Sequence, residues 1–212
     1  MARGKFITLE GGEGAGKSTQ AELLGRDLRQ SGQPTLVTRE PGGAPGAEDI
    51  RGLLVTGAVG RWDPLAEALL HCAARREHLT KTITPALDAR TWVISDRFAD
   101  STMAYQGYGH GLGRLVVKDL NELVLGNFAP DLTLILDVPV EDGLRRAAIV
   151  AGPEDRYERM GRGFHQRLRD GFLEIAGREP ERCAVIDARA NVDEIQAAIR
   201  ALVRQRLGAS LP

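Results

Sequence analysis

Eight residues constrain this chain more than any other stretch: Gly11-Gly12-Glu13-Gly14-Ala15-Gly16-Lys17-Ser18. They match G-x-x-x-x-G-K-[ST], a loop whose backbone N–H groups turn inward around a polyphosphate. Small residues are needed because a side chain would fill the space the anion takes. Lys17 brings positive charge to the outer phosphates, and the Ser18 hydroxyl is a hard oxygen suited to Mg²⁺. A helix beginning at Lys17 would aim its positive end at the same anion. A glycine-rich surface turn ahead of a lysine would give the same letters. Context separates the two: an apolar run of strand character, Phe6 to Leu9, comes before, and Ala21, Leu24 and Leu28 follow at helical spacing. The loop from Gly11 through Thr19 is therefore the candidate nucleotide-binding element.

The rest of the chain alternates strand and helix signals. Short apolar runs recur at Thr35 to Thr38, Thr91 to Ser95, Leu132 to Leu136 and Ala184 to Ile186. Between them, Asp63-Pro64 reads as a helix start, and Pro85 is expected to break or kink the helix that follows. Gln106 to Gly113 reads as a glycine-rich passage ahead of a helix from Leu115 to Leu125. Asn191 with Glu194 forms a capping-box pattern for the last helix. The pattern predicts an α/β fold: a five-stranded parallel sheet flanked by helices, in one domain spanning residues 1–212. Ligands of such sheets sit at the carboxyl ends of the strands. The residues to interrogate there are Glu10, Arg39-Glu40, Asp96-Arg97 and Asp137. Asp96-Arg97 could be a plain surface ion pair. Beside a polyphosphate, Asp96 reads as a Mg²⁺ or water ligand and Arg97 as a neutraliser of phosphoryl charge.

Bulk properties narrow the class. An apolar fraction of 42% with 27% charged residues is that of an ordinary globular chain, and a net charge of −1 argues against nucleic acid or a membrane surface as partner. Cys72 and Cys183 stand far apart without metal-ligand spacing, which suits two reduced thiols. No run approaches the length of a membrane span, and no signal-peptide pattern opens the chain; a cytoplasmic location is expected.

Further segments sharpen the reading. LEGGEGAGKSTQ, TREPGG, AARREH, ITPAL, WVISDRFADSTMAYQG, PDLTLILDV and EDRYERMGRGFHQRLRDGF occur in that order along nearly the whole chain. Together they resemble the bacterial thymidylate kinases, of adenylate-kinase-like fold, which transfer a phosphoryl group from MgATP to dTMP and usually form a homodimer. The resemblance implies that Arg39 and Arg51 hold the acceptor phosphate. It implies that Arg75 reads the thymine carbonyl, Thr102 the base edge, and that Tyr105 lies against the sugar with Gln106 close to the nucleotide. Where the family has a Phe stacking on thymine, this chain has His71, which offers less apolar area.

The stretch from Arg145 to Asp170 carries seven arginines against four acids, punctuated by Gly152-Pro153 and Gly161-x-Gly163. A run like this is ordinarily a solvated helix face. It also suits a mobile lid around residues 150–163 that delivers an arginine to the transferring phosphoryl. The resemblance favours Arg156 for that role over Arg159, with Arg167 and Arg169 behind, and pairs it with the acidic Glu13 in the loop. Lys17, Arg97, Arg156 and Glu13 are thus the expected catalytic group, with Ser18 and Asp96 on Mg²⁺. Two other readings stay open: a kinase of the same fold acting on another acceptor, and a non-catalytic nucleotide-binding switch. The second would need an Asn-Lys-x-Asp motif if it bound GTP, and no such tetrapeptide occurs.

Overall fold

A computed structural model of the chain describes residues 3–150 and 154–211. Five parallel strands form one sheet: β1 Phe6–Glu10, β2 Thr35–Arg39, β3 Trp92–Asp96, β4 Leu132–Asp137 and β5 Cys183–Asp187, in the order β2-β3-β1-β4-β5. Strand β1 lies at the centre, and all five of its residues are buried, as expected of a strand covered on both faces. The helices are α1 Lys17–Gln30, α2 Pro45–Val55, α3 Pro64–His78, α4 Thr84–Asp88, α5 Ala99–Thr102, α6 Arg114–Leu125, α7 Val140–Val150, α8 Arg162–Arg178 and α9 Val192–Leu207. On one face, Leu24 and Leu28 of α1 and Ile195, Ile199 and Val203 of α9 pack on Ile7, Leu9, Leu134 and Leu136. On the other, Phe164, Leu168 and Phe172 of α8 meet Tyr105 and Ile135, and Phe6, Val93 and Phe98 close a separate cluster.

Every strand runs at least one residue beyond its apolar stretch, and the added residue is polar: Glu10, Arg39, Asp96, Asp137 and Asp187. The register places Arg39 opposite Asp96, Leu9 opposite the same Asp96, and Asp137 opposite Asp187. One rim of the sheet is therefore charged while its interior is apolar.

Ahead of Pro85 the regular α-helix gives way, in keeping with the expected break or kink: α3 ends at His78, a π-helical turn, Leu79–Ile83, follows, and the short α4 carries the proline. The first part of the glycine-rich passage, residues 106–109, belongs to a second π-helical turn, Met103–Gly109, that continues α5. The caps behave as expected. Asp63 accepts from the Leu65 and Ala66 amides at the start of α3, and Asn191 and Glu194 form the capping box of α9. Part of the expected lid, residues 151–153, lies outside the described residues.

Candidate active site

The phosphate loop is held by its neighbours before any ligand is considered. Gly14 has φ 66°, and a Cβ there would sit 2.0 Å from the Gly143 carbonyl oxygen of α7. Gly16 has φ 89° with open space around it, so backbone conformation requires the glycine at that position. Ala15 turns into the core, where it is buried among the residues under the loop. Lys17 lies buried across the loop and donates from Nζ to the Gly12 carbonyl at 2.7 Å. Burial first, and then the nearby Arg97 charge, bring its amine down to about 8. At neutral pH it therefore remains largely charged.

At the loop's mouth the Ser18 hydroxyl donates to Asp96 Oδ2. These are two hard oxygens in contact, with Thr19 and Arg39 around the same cavity. They suit Mg²⁺, which takes one or two protein oxygens and fills its octahedron with water and substrate phosphate. Among the described residues no cluster of three or more His, Cys, Asp or Glu is placed to hold a metal by itself.

Arg97 stands at the centre. Its backbone is left-handed, φ 72°, and its guanidinium donates to the Gly11 carbonyl at 3.0 Å and to both Glu13 carboxylate oxygens at 3.2 and 3.1 Å. The Tyr105 hydroxyl donates to Glu13 Oε1 at 2.5 Å, and Arg97 lies 4.9 Å from the Tyr105 ring centroid. Burial would raise the Glu13 carboxyl, but Arg97 and then Lys17 outweigh it and hold it below its ordinary value. Glu13 is thus an anion at neutral pH, already committed to a cation and a phenol.

Two cavities share Glu13 and Arg97. One holds the phosphate loop, with Lys17, Ser18, Asp96 and Arg146 on its wall. The other is walled by Arg51, His71, Arg75, Thr102, Tyr105 and Gln106. Its basic groups are oriented from behind. Arg75 donates from Nε to Glu40 at 2.8 Å and from Nη2 to the Phe98 carbonyl and the Thr102 hydroxyl, each at 2.9 Å. Glu40 is itself 3.0 Å from His78 Nδ1. Arg51 donates to the Pro41 carbonyl at 2.7 Å and pairs with Glu154 at 2.6 Å; Arg39, on the wall of the phosphate-loop cavity, pairs with Glu48 at 3.0 Å. The His71 Nε2 is 2.8 Å from the Tyr157 hydroxyl, and burial drives its imidazole down to about 3, so the ring is neutral. Gln106 is fully buried and donates to Glu67 at 2.8 Å.

Arg156 is placed elsewhere than expected. It is 0% exposed, and its guanidinium donates to the carbonyls of Leu54, Ala58 and Val59 at 3.0, 3.1 and 3.1 Å and to the Glu67 carboxylate. All four acceptors lie on α2, α3 or the segment between them. The phosphate-loop cavity instead receives Arg146, which belongs to the same arginine-rich run. The second cavity is also lined by Glu40, singled out above as a strand-end residue, and by Glu154, Tyr157 and Glu158, which sequence reasoning passed over. Glu40 had one usable signal, its place at a strand end. The other three were letters in a charged run, with nothing local to mark them.

Comparisons with known proteins agree along nearly the whole chain. A family model described as thymidylate kinase matches residues 9–199. A thymidylate kinase from Caulobacter vibrioides is 55% identical over 98% of this chain and 100% of its own length. One from Rhodopseudomonas palustris is 51% identical over 97% of this chain and 90% of its own. A crystal structure of thymidylate kinase from Ehrlichia chaffeensis superposes with a TM-score of 0.77 at 36% identity, covering 95% of this chain and 99% of that one.

Proposed function

Because this chain belongs to the thymidylate kinase family, we propose that its two joined cavities hold ATP and dTMP tail to tail and pass the γ-phosphoryl between them. The products are ADP and dTDP. The observation that carries the reading is the shared wall: Glu13 and Arg97 belong to both cavities, one lined by a phosphate loop and the other by His71, Arg75, Thr102 and Tyr105.

Little covalent chemistry is asked of the protein; positioning and charge neutralisation supply the rate. The backbone of Gly11 through Thr19 cradles the ATP phosphates, Lys17 bridges the outer ones, and Arg97 follows the transferring group. Arg39 and Arg51 hold the acceptor phosphate. Arg75 and Thr102 address the base, with the neutral His71 ring and Gln106 around it and Tyr105 against the sugar. Ser18 and Asp96 would hold Mg²⁺, which screens the charge on the phosphates when bound. Glu13, pinned by Arg97 and Tyr105, orders the acceptor end and has no proton to remove. The segment from Glu154 to Gly161 serves as the described part of the lid, since Glu154, Tyr157 and Glu158 wall the acceptor cavity.

The acceptor panel dTMP, dUMP, UMP, AMP and GMP, read as ADP release, tests the assignment. dTMP is expected to turn over best, with dUMP behind by the ~1–3 kcal/mol one methyl can supply. Best turnover of AMP or GMP would overturn it.

A homodimer is part of the proposal. Helices α3 and α6 lie side by side, Arg76 donating to the Val124 carbonyl at 3.2 Å, and their outer faces expose Leu69 (48%) and Leu123 (83%). Sedimentation of the wild type and of Leu123→Glu checks this: dimer for the first, monomer for the second. Among the described residues no helix is long and apolar enough to cross a membrane. Two free buried cysteines suit the reducing cytoplasm, which is where we place the enzyme.

A further inference from the structure

Glu10 takes no part in the mechanism above, yet it is a fully buried acid at the end of the central strand. Its two carboxylate oxygens do separate work. Oε1 accepts the Phe98 amide at 2.7 Å, and Oε2 accepts the Ser101 hydroxyl at 2.6 Å. Both donors belong to the turn that begins at Arg97. The Ser101 oxygen in turn accepts from the Arg97 guanidinium at 3.2 Å. Arg97 itself is held in a left-handed conformation, φ 72°, that an L-residue with a long side chain rarely adopts. Other contacts fix the rest of the turn: the Arg97 amide donates to the Leu9 carbonyl at 2.9 Å, and the Ser95 hydroxyl to the Arg97 carbonyl at 2.7 Å.

We propose that Glu10 is a positioning residue for phosphoryl transfer, clamping the Arg97 turn by its backbone and through Ser101 so that the guanidinium stays aimed between the two nucleotides. The inference rests on the kinase reading above. An acid is required because two donors converge on one side-chain head, and only a carboxylate offers two acceptors without a hydrogen of its own. The surroundings do not otherwise favour it. Burial, and then the Asp100 charge, push the Glu10 carboxyl up to about 7, with Lys17 and Cys183 also within its electrostatic reach. Asp100 has its own partner, accepting from Arg182 at 2.7 and 3.0 Å, so Arg182 is not free to relieve Glu10. A buried acid kept under these conditions is explained by the turn it holds.

A double-mutant cycle with Arg97 tests the proposal. Wild-type turnover of dTMP tests the kinase reading separately. In the wild-type background Glu10→Gln is expected to lower kcat by about 10²-fold, the cost of a small displacement of a catalytic group, with KM for either substrate changing by less than about threefold. In an Arg97→Ala background the same change should alter kcat by less than about twofold, since its target is gone. A role confined to stability would lower the active fraction equally in both backgrounds, and that result overturns the inference, as does a Glu10→Gln enzyme with wild-type kcat. If Glu10→Gln does not fold, Glu10→Asp enters the same cycle. Its shorter arm keeps the charge but withdraws from Phe98 and Ser101, and the same two outcomes decide.

Discussion

Replacing Arg156 by Met separates two views of the arginine-rich run. The guanidinium is enclosed and donates to three backbone carbonyls and to Glu67. Met fills similar volume without donating a hydrogen bond, so the substitution leaves Glu67 charged, buried and short of its cation. Breaking a buried pair in this way costs about 3–5 kcal/mol. For a chain of this size that is a fall in Tm of about 6–20 °C, at 2–4 °C per kcal/mol. The carboxyl reports the same event. Burial alone would raise it, but the His110 ring 3.2 Å away and the hydrogen bond from Arg156 hold it down at about 2. Its folded pKa is below its unfolded value, so this share of stability is fully present above about pH 4.5 and fades as pH falls toward 2. The assay is urea unfolding of wild type, Arg156→Met, Glu67→Gln and the double variant at pH 7 and pH 4. The double variant should recover at least about 1.5 kcal/mol relative to the sum of the singles. Arg156→Met with unchanged unfolding but kcat down by about 10³-fold would refute the clamp and restore the residue to the transferring phosphoryl.

The other predictions are shorter. Lys17→Ala should lower kcat by about 10²–10³-fold with the fold intact by circular dichroism, as expected for loss of one preorganised charge at the phosphates. Asp96→Asn should raise the Mg²⁺ concentration needed for half-maximal turnover by about 10–100-fold, and EDTA should abolish wild-type turnover without unfolding it. His71→Phe should flatten the stability profile in mild acid. The imidazole is held at about 3 by burial, so the unfolded chain takes up its proton first and the wild type loses up to about 2 kcal/mol between pH 6.5 and 5. Unfolding midpoints of the two proteins that stay parallel across that range would contradict the assignment.

The sequence made the sheet and the phosphate loop easy to read because both rest on local patterns. An apolar run bounded by turn residues marks each strand, and the loop's glycines are needed by its own backbone. The strand ends were misread by one residue for a physical reason: a polar side chain at the rim still pairs its backbone in the ladder, as Asp96 does against Arg39 and Leu9. The acceptor cavity was legible only through resemblance, since Arg75, Thr102 and Tyr105 meet by tertiary folding. The roles of its supporting residues were not legible. Nothing about Glu40 in isolation says that it orients Arg75, and nothing about Arg156 says that it turns inward. Charge density in a run fixes how many cations there are, but packing decides which of them meets water.

The widened turn at Met103–Gly109 has a consequence for anyone redesigning this enzyme. It carries Tyr105 and Gln106, both buried, immediately after Thr102. Such a turn is one residue richer than a turn of the α-helix it continues. Deleting a single residue there, or choosing amino acids that favour regular geometry, would smooth the coil and swing everything downstream by about 100° around its axis. A protocol that rewards ideal helices would therefore tend to return a sturdier protein that no longer handles nucleotides.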